Sequence, residues 1–123
     1  MRAIVHEQGG GSDVLRLVDR EPETPGPGEV RVRIAVSGVN PTDWKRRSAP
    51  GPVGLAGPNQ DGAGVVDAVG PGVERFAVGD RVWTMIAAHE RPLGGTAQEL
   101  TVLPVERVHP LPDGASFDVG ASL

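Results

Sequence analysis

The sequence predicts a mainly β fold, a small barrel or sandwich-like domain carrying short helical turns. Three observations predict it. Residues 30–36 alternate apolar and polar side chains with period two. The 18 glycines and 12 prolines among 123 residues punctuate short apolar runs instead of forming a repeat. Helical periodicity is scarce, while strand-like runs recur with turn signals between them. The length suits one domain. Leu, Ile, Val and Phe make up about a quarter of the chain, above the ~20% floor for an ordered core.

Each element follows from local chemistry. Residues 2–6 (RAIVH) and 14–18 read as two strands joined by a loose glycine turn at 9–12. The three prolines of EPETPGPG, 21–28, cannot donate ladder hydrogen bonds, so this stretch is an extended linker. Val30, Val32, Ile34 and Val36, set between Arg31, Arg33 and Ala35, mark a half-buried strand with a wet face. After Gly38, Asn40 suits a helix cap, Pro41 the first helical position and Asp43 the first turn, predicting one or two helical turns over 40–47. Residues 48–62 read as irregular. Strands are expected at 62–70, 81–86 and 97–104, with a turn at Gly79-Asp80, a loop at 87–96 and a last short strand at 106–109. Ser116 suits the cap of a terminal helix that stops after seven or eight residues, which reads as an interrupted element with more chain expected after it.

Composition excludes several classes. Without cysteine there is no disulfide framework, thiolate metal site or cysteine nucleophile. A net charge of −4 argues against nucleic-acid binding, as does the absence of tyrosine beside only two Trp and two Phe. No apolar run approaches the ~20 residues of a membrane span, and MRAIVHEQ lacks the apolar stretch of a signal peptide, so a cytoplasmic protein is expected.

GAGVVD at 62–67 matches the start of a dinucleotide fingerprint. That fingerprint needs a strand before it and a helix after it. Here a loop precedes and a β-branched run follows, so these glycines read as allowing close strand packing. His6, His89 and His109 are far apart in sequence and show no metal-binding spacing, so no metal site is expected. NPTDWK at 40–45 reads either as capping plus one packed tryptophan or as a functional cluster, with positions 40, 43 and 44 on one helical face. PNQDG at 58–62 and AAHER at 87–91 are, on their own, a polar turn and a solvated loop.

Taken in order, MRAIVHEQGGGSDVLRL, PGPGEVRVRIAVSGVNPTDWKRRS, NQDGAGVVDAVGPGVERFAVGDRVW, GGTAQELTVLP and PLPDGASFDVGASL resemble the N-terminal, GroES-like domain of medium-chain dehydrogenase/reductases, the quinone oxidoreductase (zeta-crystallin-like) branch in particular. The resemblance implies a GroES-like, partly open β-barrel that precedes a Rossmann domain absent from this chain. Zinc-dependent relatives place a cysteine, a histidine and a glutamate where this sequence has Asn40, Gln60 and Asp61, so the resemblance implies a zinc-independent branch.

The implied reaction is hydride transfer from NADPH to an electron-poor small molecule, a quinone or an enone. By the same resemblance Asn40 and Gln60 are the candidate catalytic residues, and Asn40 and Lys45 face the cofactor. Relatives often carry a tyrosine where Lys45 stands, which leaves a phosphate-pairing cation as its expected role. Asp43 and Asp61 are assigned to the substrate pocket, with Trp83 and His89 added from loop position. The expected partners are the acceptor and a Rossmann domain in cis or in trans, with a homodimer as a candidate assembly. The alternatives are a thioester enoyl reductase and a non-catalytic GroES-like binding module. The binding module would use 48–58 as a mobile loop, with Val53 and Leu55 as weak anchors.

Overall fold

A computed structural model describes residues 1–49 and 52–123. Among the described residues, eight strands form two antiparallel sheets. β1 (Arg2–Gln8) pairs with β2 (Arg16–Asp19), in the register Arg2 to Asp19, through a turn of 3-10 helix at Ser12–Val14. Its far end pairs with β4 (Pro52–Ala56), His6 opposite Ala56 and Gln8 opposite Pro52. This strand corrects the irregular reading of 48–62. The prolines and glycines there conceal an edge strand recruited by the part of β1 that outruns β2, and proline is tolerated at the first position of such a strand. The loop expected of a binding module, 48–58, lies partly outside the described residues.

The larger sheet contains β3 (Glu29–Gly38), β5 (Asp61–Val69), β6 (Arg81–Thr84), β7 (Leu100–Pro104) and β8 (Val108–Pro110), in the order β7-β3-β5-β6-β8. The strand expected at 81–86 ends at Thr84, because Met85 N–H turns to the carbonyl of Arg107 and Ile86 adopts φ 44°. Of the strand expected at 106–109, residues Val105–Arg107 are 3-10 helix and only the end is extended. Residues 97–99, expected within the seventh strand, instead join the two sheets. Ile4 N–H donates to Ala97 O at 2.8 Å and Glu99 N–H to Arg2 O at 3.1 Å, while Ile34 N–H donates to Glu99 O at 2.9 Å. Among the described residues no ladder joins β8 back to β2, so the barrel is partly open.

The alternation in β3 explains the core. Val30 and Val32 are fully buried with Val66, Val82, Leu103 and Val108, and Phe76 closes the cluster. Each such aliphatic side chain contributes about 1.5–3 kcal/mol of burial. On the wet face of β3 two arginines share one carboxylate: Asp67 accepts from Arg31 Nε at 2.8 Å, and Arg33 stands 3.5 Å away. Gly64 shows why the 62–67 run is rich in glycine. A side chain at 64 would collide with the carbonyl oxygen of Arg33, so β3 and β5 approach closely only because there is none.

Among the described residues, two short α-helices flank the sheet. α1 (Pro41–Ser48) follows β3 directly. α2 (Phe117–Ala121) is capped by Ser116, whose Oγ accepts from Val119 N–H at 3.2 Å, and it buries Gly120 and Ala121 against the sheet. Arg81 secures the approach to α2 by donating to the carbonyls of Pro112, Asp113 and Ala115.

Candidate active site

α1 begins where β3 ends, which carries Asn40 to the start of β5. Pro41 occupies the first helical position, and Asp43 turns back so that its carboxylate accepts the Asn40 backbone N–H at 2.7 Å. That is the carboxylate half of a capping box. The Asn40 side chain is used elsewhere, its Nδ2 donating to Asp61 Oδ2 at 2.6 Å. Residues 40, 43 and 44 do not share one environment, which corrects the single-face reading. Asp43 is buried, whereas Trp44 is half exposed and carries Lys45 Nζ 5.7 Å from its ring centre.

Burial pushes the Asp43 carboxyl above its ordinary value of 3.8, and the neighbouring charge of Asp61 pushes the same way. The backbone N–H groups of Asn40 and Gln60 and the charge of Arg46 pull it back in part.

Gln60 holds the opposite wall. Its Oε1 accepts from Ala88 N–H and its backbone carbonyl from Ala87 N–H, both at 2.9 Å. Two polar contacts from one residue therefore fix the 85–94 loop, in which Ile86 (φ 44°) and Glu90 (φ 57°) adopt left-handed backbone. Asn59, also left-handed at φ 78°, donates from Nδ2 to Ser37 Oγ at 2.9 Å. The Ser37 hydroxyl lies 2.7 Å from Thr96 Oγ1, which reaches the Asp61 carbonyl at 2.7 Å. Gly95 lies so close to Pro58 that a side chain would strike the Pro58 carbonyl oxygen. The 57–61 turn is thus held from both sides.

A cavity of about 460 Å³ opens between α1, this turn and the 88–92 loop. That volume falls within the ~300–1,000 Å³ range of small-molecule sites. Asp43 and Gln60 line it. Asn40 adjoins it through its backbone bond to Asp43, and Asp61 follows Gln60 in the chain and is bonded to Asn40.

The structure therefore brings Asn40, Asp43, Gln60 and Asp61 together, and it places the other candidates apart. Lys45 is on the exposed side of α1. Trp83 stacks on His109 at 4.4 Å on the β6–β8 edge, and the His109 Nε2 is buried without a partner among the described residues. The His89 side chain is more than half exposed and points toward Glu90 at 3.8 Å. Sequence reasoning missed His6, Arg46 and Arg47, which also line the cavity, together with Arg91 of the 87–93 loop that was expected in the substrate wall. The basic run KRR at 45–47 was the one legible signal among these. His6 is buried, and its Nδ1 donates to the Gln8 carbonyl at 3.1 Å.

The alcohol dehydrogenase GroES-like domain matches this sequence over residues 26–113. The chain belongs to that family. As a GroES-like domain it is similar to relatives that carry oxidoreductase names. The quinone oxidoreductase of Pseudomonas aeruginosa is 45% identical over 116 residues, spanning 93% of this chain and 34% of the relative. The crystal structure of the quinone oxidoreductase from Pseudomonas syringae pv. Tomato DC3000 superposes with a TM-score of 0.88 at 43% identity, covering 99% of this chain and 37% of that one. The Escherichia coli quinone oxidoreductase complexed with NADPH superposes at 0.88 with 30% identity, covering 98% and 36%. This GroES-like domain thus spans about a third of the length of those relatives. Among its described residues, no helix is long and apolar enough to cross a membrane.

Proposed function

We propose that the chain is the acceptor-side domain of an NADPH-dependent, zinc-independent reductase of quinones or enones, and that it turns over only together with a cofactor-binding domain. The observation that carries this reading is the Asn40–Asp61 pair beside the cavity lined by Asp43 and Gln60. The similarity to quinone oxidoreductases, one of them complexed with NADPH, supports it.

The donor set fits this chemistry. The Asn40 amide nitrogen carries two N–H groups, and Asp61 takes one. The second is available to an acceptor carbonyl or to the nicotinamide carboxamide, and the Asp61 bond fixes the orientation of the amide. Lys45, exposed on α1, offers a cation for a cofactor phosphate. NADPH, when bound, supplies the hydride. Gln60 shapes the wall that excludes water by holding Ala87 and Ala88.

The test compares the chain alone with the chain joined to the cofactor-binding remainder of the Pseudomonas aeruginosa relative. Each is mixed with NADPH and 1,4-benzoquinone, and nicotinamide absorbance is followed. The joined protein is expected to consume NADPH, and Asn40→Ala to lower kcat by roughly tenfold or more. The chain alone is expected to be inactive and to bind NADPH weakly. An inactive joined protein that is folded, or micromolar NADPH binding by the chain alone, overturns the reading.

A further inference from the structure

A quinone that takes a hydride from NADPH becomes a hydroquinone anion, and one proton completes the hydroquinone. An enone treated in the same way becomes an enolate and needs the same proton. Asn40 and Gln60 are amides and have no acidic hydrogen to give.

Six ionisable side chains line the cavity: His6, Asp43, Arg46, Arg47, Glu90 and Arg91. Asp43 and Glu90 offset Arg46 and Arg47 in charge, and Arg91 is paired with Glu29 at 2.7 Å and with Glu23 at 3.7 Å. Arginine holds its proton throughout the physiological range, so none of the three releases one. Asp43 spends its carboxylate on the backbone N–H groups of Asn40 and Gln60. The Glu90 side chain is 81% exposed and points away into solvent beside His89.

His6 remains. It stands on β1 and is 7% exposed. The Gln8 carbonyl lies 3.1 Å from its Nδ1, and a carbonyl can only accept, so Nδ1 carries a hydrogen in both charge states of the ring. Nε2 is therefore the atom at which His6 gains and loses a proton. It has no hydrogen-bond partner among the described residues. The Nε2 of His109 is sealed within the fold, whereas that of His6 stays accessible. Glu7, its neighbour on β1, is paired with Arg16 at 3.3 Å. Ala56, opposite His6 on β4, and the 57–60 turn bring no titratable group. Histidine is the side chain suited to exchanging a proton near neutral pH, and the Gln8 bond fixes which ring nitrogen does so.

We propose that His6 is the proton donor of this cavity. The acceptor gains two electrons and a hydrogen as hydride, and NADPH is oxidised to NADP+. The Nε2–H bond of the His6 imidazolium breaks, an O–H bond forms at the acceptor oxygen, and the bonding pair stays on Nε2. The neutral ring recovers its proton from water once the product leaves. The proposal rests on the acceptor-side reading above and deepens it: Asn40 orients the acceptor and His6 protonates it.

Two measurements test this. The first uses the 123-residue chain labelled with nitrogen-15 in its three histidines, His6→Asn serving to assign the His6 signals. At high pH the ring hydrogen of His6 is expected on Nδ1. Hydroquinone is expected to shift the His6 Nε2 resonance and to leave His109, stacked on Trp83, unmoved. A neutral ring with its hydrogen on Nε2, or a His6 resonance that hydroquinone does not move, overturns the proposal.

The second uses the chain joined to the cofactor-binding remainder of the Pseudomonas aeruginosa relative, with NADPH and 1,4-benzoquinone. Asparagine at position 6 keeps an N–H donor for the Gln8 carbonyl but has no proton to release. His6→Asn is expected to lower kcat about a hundredfold and to leave KM within about twofold. It is also expected to abolish the fall in kcat that the unsubstituted protein shows as pH rises above neutral. Unchanged kcat and pH profile in His6→Asn would mean that His6 serves only its contact with Gln8, which overturns the proposal and leaves the acceptor-side reading standing. An unsubstituted joined protein that is folded and inactive overturns both.

Discussion

Asn40 and Asp61 are joined side chain to side chain, Nδ2 to Oδ2 at 2.6 Å, across 21 residues of sequence. The bond ties the entrance of α1 to the first residue of β5 and sets the direction of the Asn40 amide. Replacing Asn40 by Asp puts two carboxylates against each other, with Asp43 close by. Asn40→Asp is expected to lose roughly 2 kcal/mol or more at neutral pH, against about 1 kcal/mol for Asn40→Ala. Urea denaturation of both variants checks this. The gap between them should narrow as the pH approaches 4, because protonation restores a donor. A constant gap would show that the repulsion is not its origin.

The Asp43 carboxyl gives a second, opposite signature. Its folded-state value lies above 3.8, chiefly because burial disfavours the charged form. Between 3.8 and that raised value, unfolded chains have released this proton while folded chains still hold it. Folded chains then bind more protons, so this group makes stability fall as pH rises through the interval and level off above it. Asp43→Asn, which cannot titrate, is expected to lack this downward component. Urea midpoints measured across the acidic range for both proteins read the difference directly.

Legibility in the sequence followed the range of the interactions. β3 was readable because Val30 and Val32 alternate with arginines that find Asp67 on the wet face. The caps were readable because Asn40, Pro41 and Ser116 act within four residues of themselves. β4 was hidden, because its reason to exist is the free end of β1, some fifty residues earlier in the chain. Residues 97–99 looked like ordinary strand, but their partners on β1 and β3 belong to different sheets. In the site, Asn40, Gln60 and Asp61 stood out through family resemblance, whereas Ala88 carries no chemistry in its side chain and contributes only a backbone N–H. Arg46 and Arg47 lie in the last turn of α1, where basic residues suit the helix dipole, and only the fold shows the cavity that they line.

Gln60 separates positioning from chemistry. Its side chain accepts the Ala88 N–H, so Gln60→Ala leaves that amide without its partner. Loss of about 1–2 kcal/mol of local protection is expected, which accelerates exchange of the Ala88 amide roughly tenfold. Gln60→Glu retains an acceptor oxygen and should keep the amide protected. If Ala88 exchanges at the same rate in all three proteins, the wall of the cavity is held by something other than Gln60.

Ile86 identifies a place where the loop stores strain. It is β-branched and 44% exposed, yet it adopts φ 44°, a region in which its side chain crowds the following carbonyl. The conformation is enforced by the loop itself: the Ile86 carbonyl receives His89 N–H at 3.0 Å and Arg107 Nη1 at 3.3 Å. Both contacts are to the backbone and survive a change of side chain. Asparagine tolerates this region at lower cost, since the left-handed penalty for an ordinary residue is ~1–2 kcal/mol. Ile86→Asn is therefore expected to stabilise the protein by roughly 0.5–1 kcal/mol, after allowing for the apolar contacts that the half-buried isoleucine gives up. Thermal denaturation should show a midpoint higher by a few degrees. A lower midpoint would mean that the packing of Ile86 outweighs its backbone strain, and that the loop is held by side-chain contacts more than by Gln60 and Arg107.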